Sequence, residues 1–233
     1  MSGPKFFVVA RVTGRENALP LWKARIVSLC NVSATEKLGD TYYWGSSLEG
    51  DPDTICGLEG YTHAVGFFIG HFETKVFKEQ GALIDSDRLL KHEQGLDSRD
   101  YDLHHYDLVG GFLKRQNDPD RDAKDSIIAV YHFWSTTDET RPEILEKLLA
   151  FVNKYRPGEL DSSVQSAIVL KEIRFPTMAT LWLRVRTLDA FAAFEASETF
   201  TELIDTITPL TSKSDKYKAA AFNGHLDLKY ATT

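Results

Sequence analysis

One of the seven histidines in this 233-residue chain stands where chemistry is possible. Phe67, Phe68, His71, Phe72 and Lys75 fall at i, i+1, i+4, i+5 and i+8, which places His71 among aromatics on one helical stripe. An imidazole titrates near neutral pH and can accept a proton from an acidic hydroxyl. The stretch around it, "THAVGFFIGHFETKVFKEQ" (62–80), is echoed by "TLDAFAAFEASETFTELI" (187–204), where Phe194 replaces the histidine. A phenylalanine does no acid–base work, so the difference suits a chain in which one copy keeps a site and the other serves as scaffold. The alternative for His71 is a core histidine satisfied by a backbone carbonyl.

Other candidates surround it. Alternation along a strand puts Tyr42 and Trp44 on one face and Tyr43 on the other. Aromatics with a polar handle suit a flat ligand bearing a hydroxyl, and plain core packing is the competing account. Trp22 begins a helical stripe, and Phe67 lies on the stripe of His71. Tyr61 and His63 end a strand close to a helix start, so His63 reads as a residue at a pocket mouth or as a helix cap. Arg11, in a β-rich run, is costly to bury alone, and in a pocket it could hold an oxyanion. "HHY" supplies His104, His105 and Tyr106. Adjacent histidines in extended chain point opposite ways, and no HxH or HxxxH spacing marks a metal site. A histidine on a covering segment that reaches a ligand is the better reading. His132 and Trp134 alternate onto one face of a later strand and form a reserve site.

The elements that must position these residues come in two sets. "KFFVVARVT" is a strand, and Trp22, Ile26, Leu29, Cys30 and Ser33 form a helical stripe with Pro20 in its first turn. "TYYWGSSLEG" and "TICGLEGYT" are strands flanking "DPD" turn chemistry, and the helix of His71 follows. The order β-α-β-β-α then recurs from residue 125. An offset of 123 pairs "DTICGLEGYTH" with "PTMATLWLRVR", Phe77 with Phe200 and His71 with Phe194. One offset across a strand and its helix implies internal duplication. Each copy is a split β-α-β unit of the ferredoxin-like type (β-α-β-β-α-β), an α+β class with one apolar sheet face that must be covered. Packing sheet to sheet gives a single-chain α+β barrel. The expected organisation is an N-terminal repeat at 1–84, a linker at 85–124 that is either a lid or a strap, a C-terminal repeat at 125–215 and a tail at 216–233.

"FFVVARV", "DPDTICGLEGYTH" and "GHFETKVFKE" resemble the dimeric α+β-barrel superfamily and, within it, the antibiotic biosynthesis monooxygenase family. The second copy, "FEASETFTE", matches more loosely. The resemblance implies a cavity between sheet and helices. It also implies cofactor-free oxidation of polycyclic phenolic or anthrone substrates, in which the substrate anion gives an electron to oxygen. Relatives in the same superfamily degrade haem, cyclise polyketides or isomerise lactones. The haem-degrading pattern departs here: Glu79, Gln80 and Gly81 stand where an axial histidine is expected, and "VVARVTG" lacks that pattern's asparagine.

Composition excludes several classes. Net charge is −7 with no Lys/Arg cluster, which disfavours nucleic acid. No apolar run approaches the ~20 residues of a membrane span, and the N-terminus lacks a signal-peptide pattern. Cys30 and Cys56 suit neither a CxxC motif nor a disulfide scaffold and read as small buried residues. No GxGxxG, GxxxxGKS or GxSxG occurs. Together with the family resemblance, which implies an aromatic polyketide-type substrate and no cofactor, the expectation is a cytoplasmic tailoring enzyme without a metal, either a monomeric pseudo-dimer or a homodimer. A non-oxidative cyclase, isomerase or lyase is the alternative, and a non-catalytic binding barrel is the reading from another class.

Overall fold

The computed structural model describes residues 5–115, 117–155 and 163–227. The chain divides into two compact units, residues 1–105 with 219–233, and residues 106–218. The elements are β1 (Phe6–Thr13), α1 (Leu19–Ser33), β2 (Gly39–Ser47), β3 (Thr54–Tyr61), a π-helical turn (Gly66–His71), α2 (Lys75–Ser86), β4 (Tyr101–Phe112), β5 (Ile127–Ser135), α3 (Arg141–Asn153), β6 (Val164–Glu172), β7 (Met178–Val185), α4 (Leu188–Glu195), α5 (Glu198–Ile207) and β8 (Thr211–His225). In the first unit the strands are hydrogen-bonded in the order β1-β3-β2-β8, and in the second in the order β5-β7-β6-β4, all antiparallel. The α+β class and the ferredoxin-like repeats are those expected from the sequence.

In the first unit β3 is the central strand, antiparallel to both β1 and β2, and the register sets Val8 opposite Glu59 and Glu59 opposite Tyr42. Helix α1 buries Trp22, Ile26, Leu29, Cys30 and Ser33, the five residues of the sequence stripe. Its N-terminus lacks a cap from Ala18. Instead the Asp53 carboxylate accepts from the Leu19 and Asn17 amides, both at 2.9 Å. The "DPD" turn thus fixes the start of a helix distant in sequence, satisfying amides that would otherwise lack partners. In the second unit β7 is central, between β5 and β6, and β4 pairs with the outer side of β6. Helix α3 buries Ile144, Leu145, Leu148, Phe151 and Val152. Four of these stand 122 residues after Trp22, Ile26, Leu29 and Cys30.

The structure changes the sequence reading in three places. First, neither repeated helix is continuous. The chain breaks before Lys75, where the Thr74 hydroxyl accepts from the Phe77 amide, and before Glu198, where the Ser197 hydroxyl accepts from the Phe200 amide. Both breaks are N-caps 123 residues apart, so the interruption is itself duplicated. Second, the offset is not uniform. Strands β3 and β7 have equal length and begin at Thr54 and Met178, an offset of 124, against 123 for the helices after the break. The first copy therefore carries one extra residue between strand and cap. It lies where that copy has a π turn, with Phe72 N–H bonded to Phe67 C=O five residues back, and the second copy has an α-helix. A π turn accommodates one extra residue per turn. Third, the region 85–124 contains β4, a full sheet strand, and the 215/216 boundary falls inside β8.

Candidate functional site

The first unit contains a cavity of about 230 Å³. Strand β1 supplies Val8, Ala10 and Val12; α1 supplies Trp22, Ile26 and Leu29; the π turn and α2 supply Phe67 and Phe77. Tyr42 and Trp44 line it from β2, and His105 from β4. In this mainly apolar wall stands one carboxylate, Glu59 of β3. Glu59 is not among the candidates the sequence offers, because no motif or helical stripe marks it.

Glu59 is 6 % exposed, and its surroundings define the site. The Tyr61 hydroxyl donates to Glu59 Oε2 at 2.8 Å, and Tyr42 faces the same carboxyl from the next strand. Burial pushes the Glu59 carboxyl above its ordinary value, against the lowering influence of His71 and of the Tyr61 hydrogen bond. Both tyrosines are driven well above the normal phenol value, first by burial and then by the Glu59 charge. They remain neutral donors.

His71 is buried in the same polar cluster, although it is not among the residues that line the cavity. Its Nδ1 lies 2.6 Å from Glu36 Oε1, and its ring centroid is 5.6 Å from Tyr42, 6.2 Å from Tyr61 and 5.1 Å from Phe77. Nε2 is buried with no hydrogen-bond partner among the described residues. Burial alone lowers an imidazole's affinity for its proton; the Glu36 hydrogen bond and the charges of Glu59 and Glu36 outweigh it, and the net shift is upward.

The remaining sequence candidates separate clearly. Trp44 packs over Gly57, where an added Cβ would come within 2.3 Å of the indole, and its Nε1 has no partner among the described residues. Trp22 lines the cavity while its Nε1 donates to Leu89 C=O at 3.2 Å. Tyr43 is buried but is not a lining residue. His63 is exposed and its Nδ1 accepts from the Val65 amide, which is a capping geometry. Arg11 is half-exposed and pairs with Asp102 at 3.1 Å. The two linker histidines diverge as extended chain requires: His104 Nε2 is 3.2 Å from Asp102, while His105 packs against Phe6, Phe67 and Phe68. Among the described residues no group of three His, Cys, Asp or Glu is placed to hold a metal.

Tyr106, His132 and Trp134 belong to the second unit. Thr180 donates to the Tyr106 hydroxyl at 3.0 Å and lies 2.8 Å from His132 Nδ1. His132 also contacts the Trp134 and Tyr217 rings. These residues are not among those lining the first cavity.

Register shows what the second copy keeps of the site. With the strand offset of 124, Glu59 corresponds to Leu183 and Tyr61 to Val185; Tyr42, opposite Glu59, corresponds to Ala167, opposite Leu183. His71 corresponds to Phe194. All four counterparts are apolar and buried. The rings of Phe151, Tyr155, Phe194 and Phe200 pack together there with centroids 4.8–6.0 Å apart. The polar cluster exists in one copy alone.

No protein-family model and no curated sequence matches the chain. Solved structures do match it in shape. The fold is shared with proposed monooxygenases. One from Fusobacterium nucleatum aligns with a TM-score of 0.76 at 13 % identity, covering 97 % of this chain and 96 % of that one. One from Lactobacillus acidophilus aligns at 0.71 and 9 % identity, over 96 % of this chain and 97 % of that one. An anthrone oxidase-like protein aligns at 0.67 and 9 % identity, over 95 % and 93 %. A regulator of staphylococcal pathogenesis shares the architecture at 0.56 and 10 % identity, over 94 % and 100 %. Identities this low establish the fold alone. Among the described residues no helix is long and apolar enough to cross a membrane.

Proposed function

We propose that this protein is a cofactor-independent monooxygenase-like tailoring enzyme that acts on a flat, polycyclic, acidic aromatic substrate of the polyketide type, such as an anthrone. The observation that carries the reading is a single buried carboxylate, Glu59, in the wall of an otherwise aromatic and aliphatic cavity. A cavity of ~150 Å³ holds benzene, so on that scale about 230 Å³ suits a molecule of two or three fused rings. Full-length likeness to an anthrone oxidase-like protein points to the same substrate class.

Glu59 is the better base than His71, because it lines the cavity. A carboxylate whose proton affinity is raised by burial accepts a proton more readily than one in water. In the reaction, an anthrone-type CH2 loses one proton to Glu59 and leaves a delocalised anion. The anion gives an electron to O2, the two radicals recombine at that carbon, and loss of water leaves a carbonyl. Substrate and O2 become quinone and water, and no outside reductant is consumed. The cavity excludes solvent from the anion, and Tyr42 and Tyr61 hold the carboxylate in place.

The test is turnover of anthrone and related polyphenols under air and under argon. Quinone formed only under air, with one O2 consumed per product and without added flavin or metal, is the expected result. Equal turnover under argon would favour the non-oxidative cyclase, isomerase or lyase. Tight binding of the same probes without turnover would favour a ligand-binding barrel.

A further inference from the structure

Glu36 lies just after α1, half-buried, and nothing in the reaction above uses it. It nevertheless makes the cluster's shortest hydrogen bond to a side chain of that cluster, 2.6 Å to His71 Nδ1. We infer that Glu36 is a positioning residue that keeps His71 protonated behind the cavity wall, so that the imidazolium holds the Glu59 carboxylate ionised and ready to act as base. This rests on the reading of Glu59 as the base and adds the device that sets its working range.

His71 is 1 % exposed, so its charge state depends on protein groups rather than on water. Those groups can be named from every side. Glu36 approaches from the segment after α1, Glu59 and Tyr61 from β3, and Tyr42 from β2; α2 contributes the Phe77 ring. Cys30 of α1 bears on Tyr42 rather than on the histidine. Both tyrosines are neutral, so the field on the His71 imidazole is that of two carboxylates, Glu36 and Glu59. One positive charge with two negative ones in the cluster leaves a net single negative charge buried there. Without the imidazolium, Glu59 would face burial with the Tyr61 hydroxyl and Tyr42 alone, and the neutral acid would be favoured. The second repeat fits this logic. It has Phe194 for His71 and Leu183 for Glu59, so base and counter-charge are absent together.

Two effects of removing Glu36 oppose each other at Glu59. Loss of a like charge makes Glu59 easier to ionise, while loss of the His71 proton makes it harder. Glu36 contacts the imidazole directly, at 2.6 Å from Nδ1, so its removal acts on Glu59 chiefly through the His71 proton.

The experiment reads protonation directly, in the full chain, by carboxyl-carbon and imidazole-nitrogen NMR titration. Glu59→Gln assigns the carboxyl signal. In Glu36→Gln the imidazole midpoint is expected to fall and the Glu59 midpoint to rise by about one pH unit, as removal of a nearby opposite charge requires. His71→Phe, which copies the second repeat, is expected to give the same rise, and Glu36→Asp, which keeps the charge, a midpoint close to wild type. An unmoved or lowered Glu59 midpoint in Glu36→Gln or His71→Phe would overturn the inference. Whether Glu59 is the base at all is read separately, from turnover of Glu59→Gln. The two claims can therefore fail independently.

Discussion

Glu59→Leu writes into the first repeat the residue that the second repeat carries at Leu183, and its cost can be worked through. Replacing buried ion pairs by well-packed apolar residues is often neutral or stabilising by about 1–4 kcal/mol, and Glu59→Leu removes the cluster's excess negative charge while the Glu36–His71 pair stays intact. The same change strips the Tyr61 hydroxyl of its acceptor at 2.8 Å in a side chain with no exposure. An orphaned buried donor costs about 1–3 kcal/mol. The two contributions are of similar size, so the single variant should lie within about 2 kcal/mol of wild type while losing turnover. Glu59→Leu with Tyr61→Phe removes the Tyr61 orphan and leaves the Tyr42 hydroxyl as it is in the single variant. The double variant should be more stable than the single by about 1–3 kcal/mol, or roughly 3–9 °C in Tm for a chain of this size. Differential scanning calorimetry at neutral pH measures it. The stability of the leucine variants relative to wild type should also rise with pH. A buried acid with a raised folded value binds more protons folded than unfolded, so wild-type stability declines as pH rises from 4.5 to that value, and the leucine variants lack the decline. A double variant less stable than the single would refute the reasoning, because it would mean that the Tyr61 hydroxyl is satisfied without Glu59.

Further outcomes follow from the same contacts. Gly57→Ala would place a Cβ 2.3 Å from the Trp44 indole, so the ring must move; stability should fall by about 1–3 kcal/mol and affinity for aromatic probes should drop in a binding titration. Asp53→Ala removes the acceptor for two amides at the start of α1 and should cost about 1–2 kcal/mol in denaturant unfolding, with Asp53→Asn recovering part. His71 has a raised folded value, so its contribution to stability is complete below 6.5 and fades as pH rises through that folded value; the Tm penalty of His71→Phe should shrink over the same range. Burial pushes the Cys56 thiol up to about 12, so in a Cys30→Ala background the native protein should resist a thiol reagent that labels it rapidly in denaturant.

Much of the fold was legible because burial imposes periodicity. The α1 stripe named the same five residues that the helix buries, and alternation in β2 put Tyr42 and Trp44 on the cavity side and left Tyr43 off it. What escaped detection was local. Thr74 and Ser197 are polar residues inside an apolar period, and a stripe carries no mark of the break that their hydroxyls make. The one-residue excess before Thr74 shifted the strand alignment by one and paired Glu59 with Trp182 rather than Leu183. Since side chains alternate faces, that slip set Glu59 against a residue of the opposite sheet face, although either counterpart lacks a carboxylate. Strand β4 is half-buried over most of its length and carries adjacent histidines, so it shows little of the apolar alternation that marks a strand. Glu59 itself could have been found. It is the one charged residue in the fully buried run from Thr54 to Tyr61, and an ionisable group in such a run needs partners or a function.

The central claim is that chemistry resides in the first repeat, at Glu59. The most direct measurement compares kcat/KM on anthrone for Glu59→Gln and for Tyr131→Phe, whose hydroxyl donates to Glu195 in the second unit. A general base contributes roughly 10²–10⁴-fold, so the first variant should lose that much and the second should match wild type. Full activity in Glu59→Gln, or an equal loss in Tyr131→Phe, would contradict the account.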